Sequence, residues 1–276
     1  MNREHQGSDY EQLSAEIRAV SDEWGPGVQP VFYLSSRTGE ELHGSCVLIT
    51  YQKRFFAVTA AHVLKPLHNE HDSLFIGGQS RIRSVAPPLW CESHPPAEKR
   101  SRDPIDLAFF ELTDEQAANL GEVRWFSTSD MELSEGEVSD HECYVAIGYP
   151  WRKAKSRPAN REHRVLMYSY LDYRVDIRAY AQLNYSETKN LAISFNRKRV
   201  VSRAGSGVAT VKPHGMSGGA LIAVEASAGR LHVHSRPLAG ILTAWHGGGT
   251  QLIVATRAVV LLEALRKMIP RMTNEK

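Results

Sequence analysis

Cysteine is scarce in this sequence of 276 residues, which contains only Cys46, Cys91 and Cys143. An odd number of widely spaced cysteines makes a poor disulfide framework, so the class of small disulfide-rich secreted domains is excluded. The short paired spacings of a structural zinc site are missing as well. The sequence therefore predicts reduced thiols and a protein that is kept in the reducing cytoplasm.

Long hydrophobic runs and an excess of charge of one sign are missing too. No apolar run approaches the ~18 residues that a transmembrane helix needs. The polar stretch from Met1 to Glu23 contains no segment that could act as a secretory signal. The formal net charge is +2, and the hydrophobic share of 42% is that of an ordinary soluble globular protein. We therefore expect neither a nucleic-acid nor a membrane partner.

Hydrophobic periodicity indicates an all-β protein with a helix near each end. Short β-branched and aromatic runs recur between polar turns, and a polar segment, 113–137, divides them into two sets. Apolar spacing predicts one helix over Tyr10–Trp24 and another over Thr256–Met268, which Pro270 is expected to end. The segment Arg174–Leu183 is assigned to a strand of the second set.

A serine between glycines, in Gly215-Met216-Ser217-Gly218-Gly219, is the strongest candidate for chemistry. It stands before the run Ala220–Val224, which is typical of a buried strand. Glycines let the backbone turn tightly and present its N–H groups to one point in space. A nucleophilic serine needs such donors to receive an oxyanion. Two hydrolase architectures use such a stretch, so the motif alone leaves the fold open.

A serine nucleophile also needs a base, and the base needs an orienting acid. His62 ends an apolar strand in Thr59-Ala60-Ala61-His62 and is the candidate base. Asp106 opens an apolar run and is the candidate acid, because a carboxylate buried there is costly unless a donor pairs with it. Asp103, which stands before a proline, is the better turn residue of the two aspartates.

The order of these residues separates the two architectures. A nucleophile elbow of the α/β-hydrolase kind requires the order Ser, acid, His, but no aspartate follows Ser217 in this chain. The order His62, Asp106, Ser217 and the motifs around these residues resemble those of the chymotrypsin-like serine proteases. The stretch Ala146-Ile147-Gly148-Tyr149-Pro150 is similar to a strand that opens the second barrel in bacterial members of that family.

This resemblance implies both a fold and a role for each residue. The fold would be all-β, with two six-stranded antiparallel β-barrels, a short N-terminal helix and a C-terminal helix. The segments would be a helical extension (1–27), the first barrel (28–112), a connection (113–137), the second barrel (138–255), and a C-terminal helix with a tail (256–276). The activity would be that of a trypsin-like serine endopeptidase without a cofactor. Ser217 would be its nucleophile, His62 its base, Asp106 the acid that holds the tautomer of His62, and the N–H groups of Gly215 and Ser217 its oxyanion hole.

The same resemblance implies a pocket for a protein or peptide substrate. Its lining would consist of Val211, Lys212, Thr243, Ala244 and Trp245, and Thr243 would also hydrogen-bond Asp106. Val211 brings no negative charge to the pocket floor, which favours a small or apolar substrate side chain over Lys or Arg. The polar loop with His68, Glu70, His71 and Asp72 contains residue types that can bind a metal, but we expect no metal there.

Two alternatives to a constitutively active enzyme remain open. The first is a catalytically silent module of the same fold that binds or scaffolds, although all three residues of the triad are present. The second is a protease that stays latent until an activating or regulatory protein partner or a signal arrives, for which the two terminal helices offer docking surfaces. Met216 stands where secreted zymogens carry an aspartate that binds a freshly cut N-terminus, so activation by N-terminal cleavage is not expected.

Overall fold

Two antiparallel sheets with a helix near each end make up the fold in the computed structural model of the chain. The structure describes residues 3–35, 39–68, 73–77, 82–84, 90–92, 103–132, 143–150, 166–195, 200–202, 212–227, 230–232, 237–247 and 251–274. Within these ranges, no helix combines the length and the hydrophobicity that crossing a bilayer requires.

Seven strands form the first sheet, in the hydrogen-bonded order β5-β4-β1-β2-β3-β7-β6. They are β1 (Val28–Ser35), β2 (Gly39–Tyr51), β3 (Arg54–Ala60), β4 (Ser73–Gly77), β5 (Ile82–Ser84), β6 (Trp90–Glu92) and β7 (Leu107–Leu112). Successive side chains of a strand point to opposite faces. In β2, Cys46 and Leu48 therefore pack into one apolar cluster, whereas Val47 and Ile49 pack into another. Both faces of β2 are therefore buried at these positions.

Eight strands form the second sheet, in the order β10-β15-β14-β12-β8-β9-β11, with β13 paired to β12. They are β8 (Cys143–Gly148), β9 (Tyr168–Tyr173), β10 (Asn190–Ser194), β11 (Val200–Ser202), β12 (Ala220–Ser227), β13 (Arg230–His232), β14 (Leu238–His246) and β15 (Leu252–Arg257). The same alternation divides β8, where Tyr144 and Ala146 pack into a cluster of this sheet and Val145 and Ile147 pack with the first sheet.

A shared apolar core joins the sheets to the two long helices. The helices are α1 (Arg3–Trp24), α2 (Asp114–Asn119), α3 (Ile177–Gln182) and α4 (Ala258–Asn274). Ile17 and Trp24 of α1, Leu261 and Leu265 of α4, and Phe126 belong to this shared core. The ring of Trp24 stacks on that of Phe126, with the centroids 5.1 Å apart. Both terminal helices are thus integral to the fold, and the buried apolar side chains of their described parts pack on the sheets of the same chain.

The connection between the sheets contacts both of them. Thr50 of β2 donates its N–H to the Phe126 carbonyl over 2.7 Å, and Glu132 donates to the Leu238 carbonyl of β14 over 3.0 Å. Before these contacts, Thr113 caps α2 because its hydroxyl accepts from the N–H of Gln116.

The predicted class, all-β with two antiparallel sheets and terminal helices, is confirmed, and four details are corrected. The described strands number seven and eight instead of six in each sheet. The segment Arg174–Leu183 contains helix α3 in place of a strand, because the Asp176 carboxylate accepts from the N–H of Arg178 and caps a helical turn. Helix α4 continues to Asn274, so Pro270 lies inside it and does not end it. Helix α1 begins at Arg3, ahead of its predicted start.

Candidate active site

The pairing of β3 with β7 brings His62 and Asp106 together. These strands are antiparallel, with Ala60 at the end of β3 opposite Leu107 at the start of β7. Ala61, which follows β3, therefore lies beside Asp106, which precedes β7, and His62 is the next residue of the chain. The backbone fixes this corner further, since the N–H of Ala61 donates to the Asp106 carbonyl over 2.9 Å.

The carboxylate of Asp106 contacts His62 at two points. His62 Nδ1 lies 2.5 Å from Oδ2, and the backbone N–H of His62 donates to Oδ1 over 3.0 Å. A carboxylate only accepts hydrogen bonds, so Nδ1 carries the imidazole proton and the lone pair is on Nε2. The side chain of Asp106 is 13% exposed and that of His62 is 43% exposed. A shielded acid thus orients an imidazole that remains accessible.

The backbone of Asp106 adopts a conformation that is uncommon for residues other than glycine. Its φ is +44°, in the left-handed region, where aspartate and asparagine are several-fold enriched. Two side chains of the second sheet hold the residues just before it: Asn190 Nδ2 donates to the Pro104 carbonyl over 2.6 Å, and Thr256 Oγ1 donates to the Ile105 carbonyl over 2.5 Å. The second sheet therefore supports the acid of the first.

Asp103 has a different place, as the turn pattern indicates. Its Oδ1 accepts from the N–H of Ile105 over 2.9 Å, an Asx-type turn that shapes the loop before β7. Asp106, and not Asp103, is the aspartate that hydrogen-bonds His62.

The serine loop, defined here as residues 213–219, forms the tight turn that its glycines predict. Gly215 and Gly218 have φ of +91° and +85°. The N–H of Gly218 donates to the Leu242 carbonyl over 2.6 Å, and that of Gly219 to the Met216 carbonyl over 2.9 Å. A Cβ added at Gly218 would overlap the Ser45 carbonyl oxygen and Thr59 Oγ1. The loop can therefore pack against the first sheet only with glycine at this position.

Backbone donors in this loop divide into used and unused N–H groups. Those of Met216, Gly218 and Gly219 donate to carbonyls, the first of them to Pro213 over 2.9 Å. Within the described part of the chain, no hydrogen bond has the N–H of His214 as its donor, and none has that of Gly215 or Ser217. These are the two groups that the resemblance assigns to an oxyanion hole.

Gly44 joins the serine loop to the turn that carries His62. A Cβ added at Gly44 would lie 2.7 Å from Val63 Cγ2 and 3.0 Å from the Ser217 carbonyl oxygen. The neighbour of His62 and the backbone of Ser217 therefore approach the same glycine from two sides. Among the hydrogen bonds of the described residues, none joins His62 to the hydroxyl of Ser217.

The residues predicted to line a pocket have different surroundings. Val211 lies outside the described residues, and Lys212 is exposed. Thr243 is buried, but its hydroxyl donates to the Val254 carbonyl over 3.4 Å, so the predicted hydrogen bond to Asp106 is wrong. An irregularity in the pairing of β14 with β15 between Leu242 and Ala244 re-aims this residue.

Trp245 lies beside the serine loop. Its ring meets the ring of His214 edge-on with the centroids 4.7 Å apart, and that of Phe195 at 6.4 Å. Ala244, the preceding residue, packs with Tyr180 and Val254 in a separate small cluster. Trp245 is therefore the predicted lining residue that contacts the serine loop directly.

Tyr185 and His246 form a pair near the acid that the sequence did not indicate. Tyr185 Oη lies 3.1 Å from His246 Nε2, and the two rings meet edge-on. Burial, and after it the charge of Asp106, raises the pKa of Tyr185. Burial lowers the pKa of His246. The two residues are 61 positions apart, so no local pattern could have associated them.

His43 is a further titratable side chain near His62. Burial lowers the pKa of His43, with the nearby Glu41 raising it and His62 lowering it. Cys46 and Cys143 are buried thiols, and burial raises the pKa of Cys46. The described residues contain no group of three His, Cys, Asp or Glu side chains that could hold a metal ion. Glu70, His71 and Asp72 lie outside these residues.

No protein-family model and no curated protein sequence matches the chain. Among solved structures, it is similar to the protease Anisep from Arthrobacter nicotinovorans, with 14% identity over 86% of this chain and 93% of that chain and a TM-score of 0.49. It is also similar to the thermostable serine protease AL20 from an extremophilic microorganism, with 13% identity over 84% and 91% and a TM-score of 0.46. At identities of 14% and 13% this similarity assigns no residue of the chain a role.

Proposed function

We propose that the chain is a serine endopeptidase in which Ser217 is the nucleophile, His62 the base and Asp106 the orienting acid. The observation that carries this proposal is the two-point contact of Asp106 with His62. A nucleophilic serine needs a base whose free nitrogen is available, and a base of this kind is held by a third group. The carboxylate of Asp106 performs that task by fixing the proton on Nδ1.

The unused N–H groups of Gly215 and Ser217 support the same proposal. Acyl transfer develops a negative charge on the substrate carbonyl oxygen, and backbone donors that are already oriented stabilise it without reorganisation. A donor that is free of other hydrogen bonds can serve this oxygen at no cost to the fold. Removing one such donor lowers turnover by about 10²–10³ in a related hydrolase.

The proposed reaction proceeds in two balanced halves. In the first, Ser217 Oγ attacks the peptide carbonyl carbon while its proton passes to His62 Nε2, and the tetrahedral intermediate collapses as that proton moves to the leaving amine. The serine ester remains. In the second, His62 takes a proton from a water molecule whose oxygen attacks the ester, and returns it to Ser217 Oγ as the carboxylic acid product leaves.

A latent resting form belongs to this proposal. A base and nucleophile that are not hydrogen-bonded to each other are common without substrate and approach one another in the substrate complex. The missing hydrogen bond between His62 and Ser217 is consistent with such a state. Since Ile17 and Trp24 of α1 and Leu261 and Leu265 of α4 pack inside the fold, we expect an activating or regulatory protein partner to act on the loops around the site.

Trp245 supports a proposal for the substrate. Its partly buried ring packs on Phe195 and contacts His214 of the serine loop, and this apolar surface favours a protein or peptide substrate with a small or apolar side chain. The competing function is a silent binding or scaffold module that keeps the same residues for packing alone.

Digestion of a mixed synthetic peptide library, followed by mass spectrometry, tests the proposed function. The protein should release new peptide termini after a restricted set of small or apolar residues, while the matched Ser217→Ala variant should release none. If both proteins leave every peptide intact at the same protein concentration, also after candidate activating proteins are added, the silent module is correct. Cleavage by both proteins would remove Ser217 from the reaction.

A further inference from the structure

We propose that Ser45 is a positioning residue that orients the oxyanion donors of the serine loop from the opposite sheet. This inference rests on the proposed function. Ser45 lies in β2 of the first sheet, whereas the serine loop precedes β12 of the second sheet. Its side chain is fully buried, so each of its polar atoms needs a partner within the protein.

The hydroxyl of Ser45 connects two backbone groups of the second sheet. The N–H of Tyr149 donates to Ser45 Oγ over 2.9 Å, and Ser45 Oγ lies 3.3 Å from the carbonyl oxygen of Gly215. Because the hydroxyl accepts from Tyr149, its single proton is directed to Gly215. The backbone N–H of Ser45 donates to a second carbonyl of the loop, that of Ser217, over 2.8 Å.

These two contacts hold the peptides on either side of the one that carries the N–H of Ser217. The peptide between Gly215 and Met216 is held at its oxygen by Ser45 and at its N–H by the Pro213 carbonyl. The peptide between Ser217 and Gly218 is held at its oxygen by Ser45 and at its N–H by the Leu242 carbonyl. The N–H of Ser217 belongs to the peptide between them. Because the peptides on both sides are held, the direction of the Ser217 N–H is fixed as well. The Gly215–Met216 peptide also adjoins Gly215, the other proposed donor.

The first sheet holds Ser45 rigidly in turn. Its carbonyl accepts from Thr59 Oγ1 over 2.7 Å, in the neighbouring strand that leads to His62. Ser45 thus relates the strand of the base to the loop of the nucleophile through hydrogen bonds alone. Removing its hydroxyl removes the side-chain contact to the Gly215 carbonyl, and the loop then gains freedom to rotate this peptide.

The expected consequence is a loss in reaction rate and not in binding. Small displacements of positioned groups lower the rate by up to about 10²-fold, and loss of a whole oxyanion donor costs about 10²–10³-fold. For Ser45→Ala, in which the donor is misdirected but present, we expect about a 10- to 100-fold lower rate of the bond-forming step.

Phosphonylation by a fluorophosphonate probe separates this effect from a structural one. The maximal rate of modification, kinact, reports on the bond-forming step, and the half-saturating concentration, KI, reports on binding. We expect Ser45→Ala to lower kinact as stated while KI stays near that of the wild type. Ser21→Ala is the matched control: Ser21 is buried and hydroxyl-bonded on α1, so its kinact should equal that of the wild type.

Two further variants keep the outcomes distinct. Ser45→Cys keeps a side-chain donor that is weaker and somewhat larger, and it decides the question in the same way if circular dichroism shows that Ser45→Ala is unfolded. A folded Ser45 variant with wild-type kinact overturns the positioning role while leaving the proposed function intact. Absence of any modification in the wild type, also with candidate activating proteins present and with Ser217→Ala as the blank, overturns the proposed function and this inference with it.

Discussion

Asp106 is the residue in which backbone conformation and proposed chemistry meet. Its left-handed φ of +44° costs little for an aspartate and turns the side chain toward His62. With this geometry one carboxylate accepts both the backbone N–H and the ring proton of the same histidine. Residues that are close together in the sequence could not form this arrangement, because the strand ends that meet here come from β3 and β7.

Replacement of Asp106 by asparagine tests this arrangement at the scale of one residue. Asparagine also tolerates a left-handed backbone, so the variant should fold, but its amide can no longer hold the proton on Nδ1. The corresponding substitution in a Ser-His-Asp protease lowers kcat by about 10⁴, and we expect a loss of that order in kinact for the fluorophosphonate probe. Asp103→Asn keeps the oxygen that accepts from Ile105 and should react like the wild type. Equal losses in the two variants would contradict the assignment of the acid.

Side-chain partners were only partly predictable from the sequence. The order of His62, Asp106 and Ser217 indicated which residues to associate, because few other arrangements explain a carboxylate at the start of an apolar strand. Thr243 was assigned wrongly to Asp106, since the irregular pairing that re-aims it is set by the register of β14 and β15. Ser45 was missed because its contact with Gly215 spans 170 positions of sequence.

At the scale of elements, the serine loop depends on glycine to fit between the two sheets. Gly218 combines a left-handed φ with contact to the Ser45 carbonyl and Thr59. Gly121 has a similar φ of +78°, but a Cβ there would meet no atom within 4 Å. The two glycines therefore share a backbone requirement and differ in their surroundings.

Alanine at these two glycines separates strain from overlap. Gly121→Ala should lower the free energy of unfolding by about 1–2 kcal/mol, the cost of a left-handed backbone. Gly218→Ala adds the cost of overpacking, about 1–3 kcal/mol, and should also abolish probe labelling. Urea unfolding followed by fluorescence measures the free energy of unfolding of both variants. A Gly218→Ala variant that is as stable as Gly121→Ala would show that the loop does not press against the first sheet.

Most strands were predictable because they are short apolar, β-branched or aromatic runs between polar turns. Helix α3 was not, since it is only one and a half turns long and its apolar residues also fit a strand. The cap from Asp176 to Arg178 was its local signal. The length of α1 was underestimated because polar residues occupy its first turns, and the start of a polar helix leaves no apolar periodicity.

At the scale of the molecule, each sheet carries one half of the site and supports the half on the other sheet. Ser45 of the first sheet contacts the serine loop, whereas Asn190 and Thr256 of the second sheet hold the residues before Asp106. The shared core with α1 and α4 keeps the sheets together. Relative displacement of the sheets would therefore disturb Asp106 and the serine loop at once, which offers a physical route to the proposed latent state.

Site-resolved labelling with a fluorophosphonate probe tests the central claim most directly. The wild-type protein should gain one phosphonyl group, and peptide mapping by mass spectrometry should place it on Ser217. Ser217→Ala should gain none, and His62→Ala should react far more slowly because the serine has lost its base. Labelling of another residue, or equal labelling of the wild type and Ser217→Ala, would contradict the account.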